Sequence, residues 1–540
     1  MDGLLDHPRA VLGTLAATQL VATLVLAVSI PHNGWVWFHN GDQIGVTTQG
    51  WMLGHLELPP TELGYLWSLV IAPLMWFTGP TFVQAMPPIM ALNLFVLAPI
   101  ALVCVYGIGE RIGGRLLGYW ASLLWVVAPF ASIPLFVDRY QERWAENFLP
   151  QALGLTSLSD FPSMVVVLAA ALFVVRSLDA SRLAEAALAG LLLGAAGATK
   201  PPNLLMGAGA VLAYLVARRW REGIVFCAAV VPSLLVLVLW KERGLGELPV
   251  LSLGEVRVAA GVGLVALDVD RYLELDLEHW RVQMDQLREF FWSARLAQWA
   301  PLAGLLAVLR VRQAPIAALL GGWLAAFLVV KGFSTRADIQ ANTFWRLLMP
   351  AWPAYLILFA SIPLLVPTFA RRLGDRIRPA SVSPVAWAWA WVAVAVALTV
   401  VLPAAVIAAS SPSTRPERAV FQDDAGNYIM TPIAEDVDLQ VESTDGGRSL
   451  SWTSGGPWRA DVFYRVYRHE GRDIECENAD GAISVYCFIR SFPIATTRDT
   501  KYLDREAPPG AWYRIGVGTN WLDDETQGDV FGFSRALATP

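Results

Sequence analysis

The stretch "GYLWSLVIAPLMWFTGP", residues 64–80, decides the topology of this chain. It is apolar and aromatic, but shorter than the roughly 20 residues a membrane-spanning helix needs. If it crossed the bilayer, every loop after it would change sides. The arginine-dense "RRLGDRIR" at 371–378 would then face outward, against the tendency of short inner loops to collect Lys and Arg. The segment therefore reads as a helix lying in the outer interface.

Working outward, apolar runs predict membrane helices near 11–30, 84–108, 114–136, 161–176, 184–199, 202–217, 222–240, 299–311, 315–331, 346–366 and 384–409. With the N-terminus inside, the inner loops are "GERIGGR" (109–115), "RSLDASR" (176–182), "RRWR" (218–221), "RVRQ" (310–313) and "RRLGDRIR", all rich in Arg. The outer loops are then 31–83, 137–160, a short turn near Lys200, 241–298 and 332–345. Within 241–298, "RYLELDLEHWRVQMDQLREFFWSARLAQW" (271–299) repeats apolar residues at helical spacing and reads as one or two amphipathic surface helices. The first apolar run is followed by "PHNGWVWFHN" rather than a small-residue cleavage site and reads as a retained helix.

Composition agrees. The 540 residues are 55% hydrophobic and 16% charged, with mean hydropathy +0.47, where soluble domains carry about 25% charged residues. A net charge of −6 leaves no basic face for nucleic acid. Of the 40 basic residues, only Lys200, Lys241, Lys331 and Lys501 are lysines, a bias that reads as background.

After about residue 410 the pattern changes. "ADVFYRVYRHEG" and "AISVYCFIRSF" alternate as strands with Asp480–Gly481 as a turn, and "AWYRIGVGTNWL" and "DVFGFS" look like further strands. The expected fold class is a polytopic α-helical membrane domain (1–410, about 11 transmembrane helices) followed by an extracytoplasmic all-β, sandwich-like domain (411–540). Cys104 and Cys227 sit in apolar runs. Cys476 and Cys487 flank the expected hairpin turn, and a disulfide between them would need an oxidising compartment. That agrees with a plasma-membrane protein whose N-terminus is cytoplasmic and whose C-terminus is outside.

Polar groups at membrane depth are costly and are functional candidates by default. Asp42, the only formal charge in "HNGDQIGVTTQGW" (39–51), with Gln43 beside it, reads as a helix cap or as a base or substrate-orienting carboxylate. In "DRYQERWAENF" (138–148), Asp138, Arg139, Glu142, Arg143 and Glu146 make helical-spacing pairs: a solvated face, or a site. Asp160 in "SDFP" reads as an N-terminal cap. Lys200 in "GAAGATKPPN" (194–203) ends a small-residue helix and suits a phosphate headgroup, the alternative being snorkelling to the interface. Arg346 in "STRADIQANTFWRLLMPAWP" (334–353) suits a phosphate clamp or an interfacial anchor. There is no HExxH, Walker loop or G-x-S-x-G elbow, and "GVGTNW" lacks a nucleotide-loop context.

These motifs, in this order and on one side, resemble the GT-C superfamily of polyprenyl-phosphate-sugar-dependent glycosyltransferases over about residues 11–366. "NGDQ" stands where that superfamily carries a catalytic acid in the first outer loop. "GERIGGRLLG", "GAAGATKP" and "RLLMPAWP" resemble its later motifs. The Trp- and Tyr-rich tail resembles the carbohydrate-binding tails of actinobacterial arabinofuranosyltransferases. The resemblance implies inverting transfer of a sugar from a polyprenyl-phosphate donor to a glycan, lipid or protein acceptor at the cell envelope. Asp42 would be the base; Lys200, Arg346 and Arg139 would hold the donor phosphate; Gln43, Asp138 and Glu142 would be acceptor-side or secondary residues. Gln43 stands where a second acid is usual and no secure D-x-D is seen, so no metal is assigned, although a divalent ion is compatible with the superfamily. Two other classes share such features: a lipid-linked sugar flippase or transporter, for which related halves would be expected, and a membrane-anchored carbohydrate-binding assembly protein.

Overall fold

The computed structural model describes residues 7–29, 41–59, 61, 63–78, 82–132, 154–178, 182–245, 276–290, 295–334, 348–367, 384–412, 418–422, 428–432, 435–454, 462–470, 474–477, 483–490, 492–519, 530–534 and 537–538. It is a helical membrane protein with a strand-rich C-terminal region. Among the described residues, six helices are long and apolar enough to cross a membrane: Pro8–Val25, Ala85–Ala128, Asp160–Ser177, Trp220–Gly244, Ala314–Gly332 and Ala388–Ala409. Shorter apolar helices cover Leu66–Thr78, Leu183–Thr199, Pro201–Val216, Trp299–Arg310 and Met349–Leu365.

Helix α1 (Pro8–Ser29) is followed by α2 (Gly41–Gly54), the short strand β1 (Glu57–Leu58) and α3 (Leu66–Thr78). The segment read as interfacial is thus α3, about 20 Å long at 1.5 Å per residue and well short of a bilayer core. Helix α2 was not expected from the sequence. It packs closely on α3 at Gly50, where a Cβ would lie 2.9 Å from Ile71.

Helix α4 (Phe82–Leu92) continues through a π-helical turn, Asn93–Leu97, into α5 (Ala98–Ser132). Within α5 the backbone breaks at Gly113 (φ −146°, ψ 32°) and Gly114 (φ 74°, ψ −179°). Positive φ at Gly114 is cheap only for glycine. The chain reverses there: a Cβ on Gly109 would lie 3.1 Å from the Cα of Gly118, and the rings of Tyr106 and Tyr119 lie 5.2 Å apart. In a straight helix Gly109 and Gly118 would be about 13 Å apart. "GERIGGR" is therefore the turn of a helical hairpin, as the sequence predicted.

Helices α6 (Asp160–Ser177) and α7 (Leu183–Thr199) form an antiparallel pair. A 3₁₀ turn (Pro201–Leu205) leads into α8 (Met206–Val216), followed by α9 (Trp220–Leu245). Glycines let α7 approach α9 closely: a Cβ on Gly190 would lie 2.2 Å from the Phe226 carbonyl. The expected amphipathic helix is α10 (Leu277–Phe290), followed by α11 (Arg295–Arg310) and α12 (Ala314–Gly332). A 3₁₀ turn at Met349–Ala351 opens α13 (Trp352–Ser361), and α14 (Ala388–Val396) runs through a π turn into α15 (Leu402–Ala409). The shared core draws on Trp125, Phe161, Trp323 and Phe327, all essentially inaccessible.

Beyond Ser411 the described chain is strand joined by turns, with no helix. Strand β2 (Ser411–Pro412) pairs with β1 in parallel. Strands β3 (Arg418–Gln422), β4 (Tyr428–Pro432), β8 (Ile474–Glu477) and β9 (Ile483–Arg490) make a four-stranded sheet ordered β4-β3-β9-β8. An eight-stranded sheet holds β5 (Glu435–Thr444), β6 (Gly447–Ser454), β7 (Val462–Glu470), β10 (Phe492–Thr497), β11 (Lys501–Asp504), β12 (Ala511–Thr519), β13 (Val530–Ser534) and β14 (Leu537–Ala538). Its order is β10-β7-β12-β13-β5-β6-β11, with β14 also on β12. Cys476 and Cys487 fall on the adjacent antiparallel strands β8 and β9, but their side chains lie outside the described residues. No disulfide is present among the described residues, in which Cys104 and Cys227 are free thiols.

Candidate functional site

The site forms where α7 ends. Pro201 cannot continue the helix and forces Lys200 out of the helical region (φ −149°, ψ 104°). The Lys200 ammonium then reaches Asp160 Oδ1 at 2.5 Å, across the end of the α6–α7 pair. The sequence assigned Asp160 to a helix cap. In the structure Ser159 is the N-cap, without a side-chain cap bond, and the Asp160 carboxylate, 1% exposed, pairs with Lys200 instead. Its place in the first turn of α6 also sets it against the positive end of that helix. An ammonium has three donors, so after pairing with Asp160 Lys200 can still serve an anion.

The chain before α3 is pressed onto this turn. A Cβ at Gly64 would lie 2.2 Å from the Ala198 carbonyl and 2.4 Å from that of Thr199, so only glycine passes. Lys241 at the end of α9 holds the same strap, with Nζ 3.0 Å from the carbonyls of both Thr61 and Leu63, while the Trp240 indole donates to Leu63 at 3.0 Å.

Helix α2 brings Asp42 toward this place. Asp42 is the second residue of α2, and its side chain lies outside the described residues. The next residue, Gln43, is fully buried, and its carbonyl accepts from Ser157 Oγ at 3.4 Å. Ser157 lies three residues before Asp160, and its own carbonyl accepts from the Trp67 indole at 2.9 Å. Gln49 donates to Thr61 at 2.8 Å and accepts from Ser68 at 3.0 Å. Asn93 donates to the carbonyls of Gly154 and Thr156. The first turn of α2, the Gly154–Asp160 segment and the Lys200 turn are thus stitched together through buried polar contacts.

Lys331, in the last turn of α12, was counted in the sequence but not singled out. It is 3% exposed and has no anionic partner among the described residues; the charge acting on it is that of Lys200. Arg139, Asp138, Glu142 and Arg346 lie outside the described residues. No group of three or more His, Cys, Asp or Glu that could hold a metal ion occurs among the described residues.

The opposite end of the α6–α7 pair carries a second charged cluster. Glu185, 2% exposed, takes Arg176 at 3.3 Å and Arg182 at 3.5 Å, and accepts the Val385 amide at 2.9 Å. Arg111, from the Gly113–Gly114 turn region, lies within electrostatic reach of both arginines.

No family model and no curated protein matches the sequence. Among solved structures, the chain is similar to ArnT from Cupriavidus metallidurans in the apo state, at 14% identity over 65% of this chain and 61% of that one, with a TM-score of 0.41. The same protein bound to undecaprenyl phosphate gives 14%, 65%, 59% and 0.41. The archaeal oligosaccharyltransferase AglB from Archaeoglobus fulgidus, in complex with an inhibitory peptide and a dolichol-phosphate, gives 11% identity over 76% of this chain and 57% of that one, with a TM-score of 0.39. The chain thus spans about three-fifths of the length of the structures it matches. Likeness of this order reaches neither substrate nor residue roles.

Proposed function

We propose that the chain is an inverting, GT-C-type glycosyltransferase that moves a sugar from a polyprenyl-phosphate donor to a glycan, lipid or protein acceptor on the outer side of the plasma membrane. The N-terminus is cytoplasmic and the strand-rich region outside. The observation that supports this best is the joining, through Ser157, of the α2 turn that carries Asp42 to the segment whose Asp160 holds Lys200. A carboxylate and an ammonium on neighbouring segments are the two charges that glycosyl transfer from a lipid phosphate requires.

In this reading Asp42 takes the proton of the acceptor hydroxyl as its oxygen attacks the anomeric carbon from the face opposite the phosphate. The bond from that carbon to the phosphate oxygen breaks, and the phosphate leaves with the electron pair. Lys200, with Arg346 and Arg139, stabilises the charge that collects on it. Asp160 orients Lys200 and leaves its remaining N–H groups for the phosphate.

The test is turnover of a polyprenyl-phosphate sugar by Asp42→Asn, which keeps size but cannot take a proton. The variant is expected to fold and bind donor as the parent does, with turnover lower by about 10²–10⁴-fold. A near-parental rate would remove Asp42 as the base.

A further inference from the structure

Four residues, Lys331-Gly332-Phe333-Ser334, close α12. Three polar groups in and over this turn lack partners among the described residues. Lys331 is 3% exposed with no counter-ion. Ser334 is 1% exposed, and its hydroxyl makes no hydrogen bond. The indole N–H of Trp280, on α10, is buried and unsatisfied. Trp280 is fixed over the turn: it stacks on Phe333 with centroids 6.0 Å apart, and a Cβ on Gly332 would lie 2.6 Å from its Nε1. All three groups can donate. Buried donors without acceptors are costly, and a buried uncompensated ammonium more so.

The described residues around it lack the balancing charge. Asp160 is committed to Lys200, which leaves Lys331 as an excess positive charge within reach of that pair. Lysine itself is informative here. In a chain that uses Arg almost throughout, three of its four lysines, at 200, 241 and 331, stand at buried helix ends in this part of the fold. Lys241 spends donors on backbone carbonyls; Lys331 has nothing comparable among the described residues.

We propose that Lys331, Ser334 and Trp280 form an oxyanion cradle at the end of α12 and that its occupant is a phosphate group. Resting on the glycosyltransferase reading, the cradle serves the phosphate once the sugar has left. The donor phosphodiester carries about one negative charge, and the released monoester carries up to two near neutral pH, its second ionisation lying near pH 6 as for phosphorylated side chains. Lys200, its charge balanced by Asp160, offers the phosphate its spare N–H groups, and Lys331 supplies the net positive charge that the added negative charge calls for.

The experiment is binding by the full chain in detergent micelles, with undecaprenyl phosphate as probe and undecaprenol as the phosphate-free control. The parent is expected to prefer the phosphate. Lys331→Met should weaken that binding roughly tenfold or more, and Trp280→Phe and Ser334→Ala a few-fold each; Lys331→Arg should retain part of it. Competition by millimolar inorganic phosphate would identify the free anion as sufficient, and its failure to compete would tie the site to the lipid headgroup. Equal binding of undecaprenol, or parental affinity in Lys331→Met, overturns the proposal. If Lys331→Met does not fold, Trp280→Phe and Ser334→Ala carry the test, and parental affinity in both overturns it. A chain without transferase activity that still binds phosphate through Lys331 would keep the cradle and lose the reaction. Turnover that depends on Asp42, with phosphate binding indifferent to Lys331, would do the reverse.

Discussion

At one end of the α6–α7 pair, Arg176 and Arg182 converge on Glu185, which also accepts the Val385 amide; at the other, Lys200 pairs with Asp160, and Lys331 stands near it without an anion among the described residues. The two clusters use the same helices, about 22 Å apart along α7, and each includes a buried carboxylate. They differ in the cation. A guanidinium presents a planar fork of donors, so two arginines and a backbone amide can share one carboxylate and lock neighbouring segments together. An ammonium is a compact point charge that pairs once and keeps donors to spare. The arginine end reads as closure of the bundle, and the lysine end as a place left open for something negative.

The largest effect that could break this contrast is at the arginine end. Glu185→Gln removes the carboxylate that two arginines share and is expected to destabilise the chain by about 3–5 kcal/mol, seen as a lower unfolding temperature. Polyprenyl-phosphate affinity in the folded fraction should be unchanged. A loss of that affinity greater than the loss of stability would mean that the ends are not separable. Next comes Lys200→Met, which takes the ammonium away from the buried Asp160 carboxylate and should cost about 2–3 kcal/mol. Unlike Glu185→Gln, it should also raise the donor KM. Unchanged donor KM would turn Lys200 into a second closure.

The smallest effect sharpens the contrast with a carboxylate remote from both ends. In the strand region Asp504 takes Arg468 at 3.0 Å and the Tyr513 hydroxyl at 2.6 Å. Burial, and then the Asp504 carboxylate that accepts its hydrogen bond, push the Tyr513 hydroxyl above its ordinary value. A raised tyrosine favours the protonated folded state, so its contribution is complete below about pH 10, the ordinary tyrosine value, and is lost as pH rises further. Tyr513→Phe should cost about 1 kcal/mol at neutral pH and flatten that alkaline loss, read by denaturant unfolding at several pH values. An unchanged alkaline slope would place its origin elsewhere.

The apolar helices were legible because an apolar run of bilayer length fits little besides a membrane helix, and α6, α7, α9 and α12 fall close to their expected ranges. Helix α2 was not, because "GDQIGVTTQGW" is rich in Gly and Thr and buries Gln43, Thr47 and Gln49 beside Val46, so no apolar stripe announces it in the sequence. Lys200 was conspicuous before two prolines, but its partner lies forty residues earlier, where a carboxylate beside a helix start looks like a cap. Lys331 was invisible as a site because sequence does not distinguish a paired buried lysine from an unpaired one. The lysine–arginine bias read as background held the clue: the rare lysines gather at the buried helix ends around Lys200.

The central claim is that the lysine end, and not the arginine end, receives the phosphate of a polyprenyl lipid. The most direct measurement is an experimental structure of the full chain with undecaprenyl phosphate. The account predicts phosphate density between Lys200 and the Lys331–Ser334 turn, beneath Trp280 and beside the first turn of α2. Phosphate held by Arg111, Arg176 and Arg182, with the lysine end empty, would contradict it.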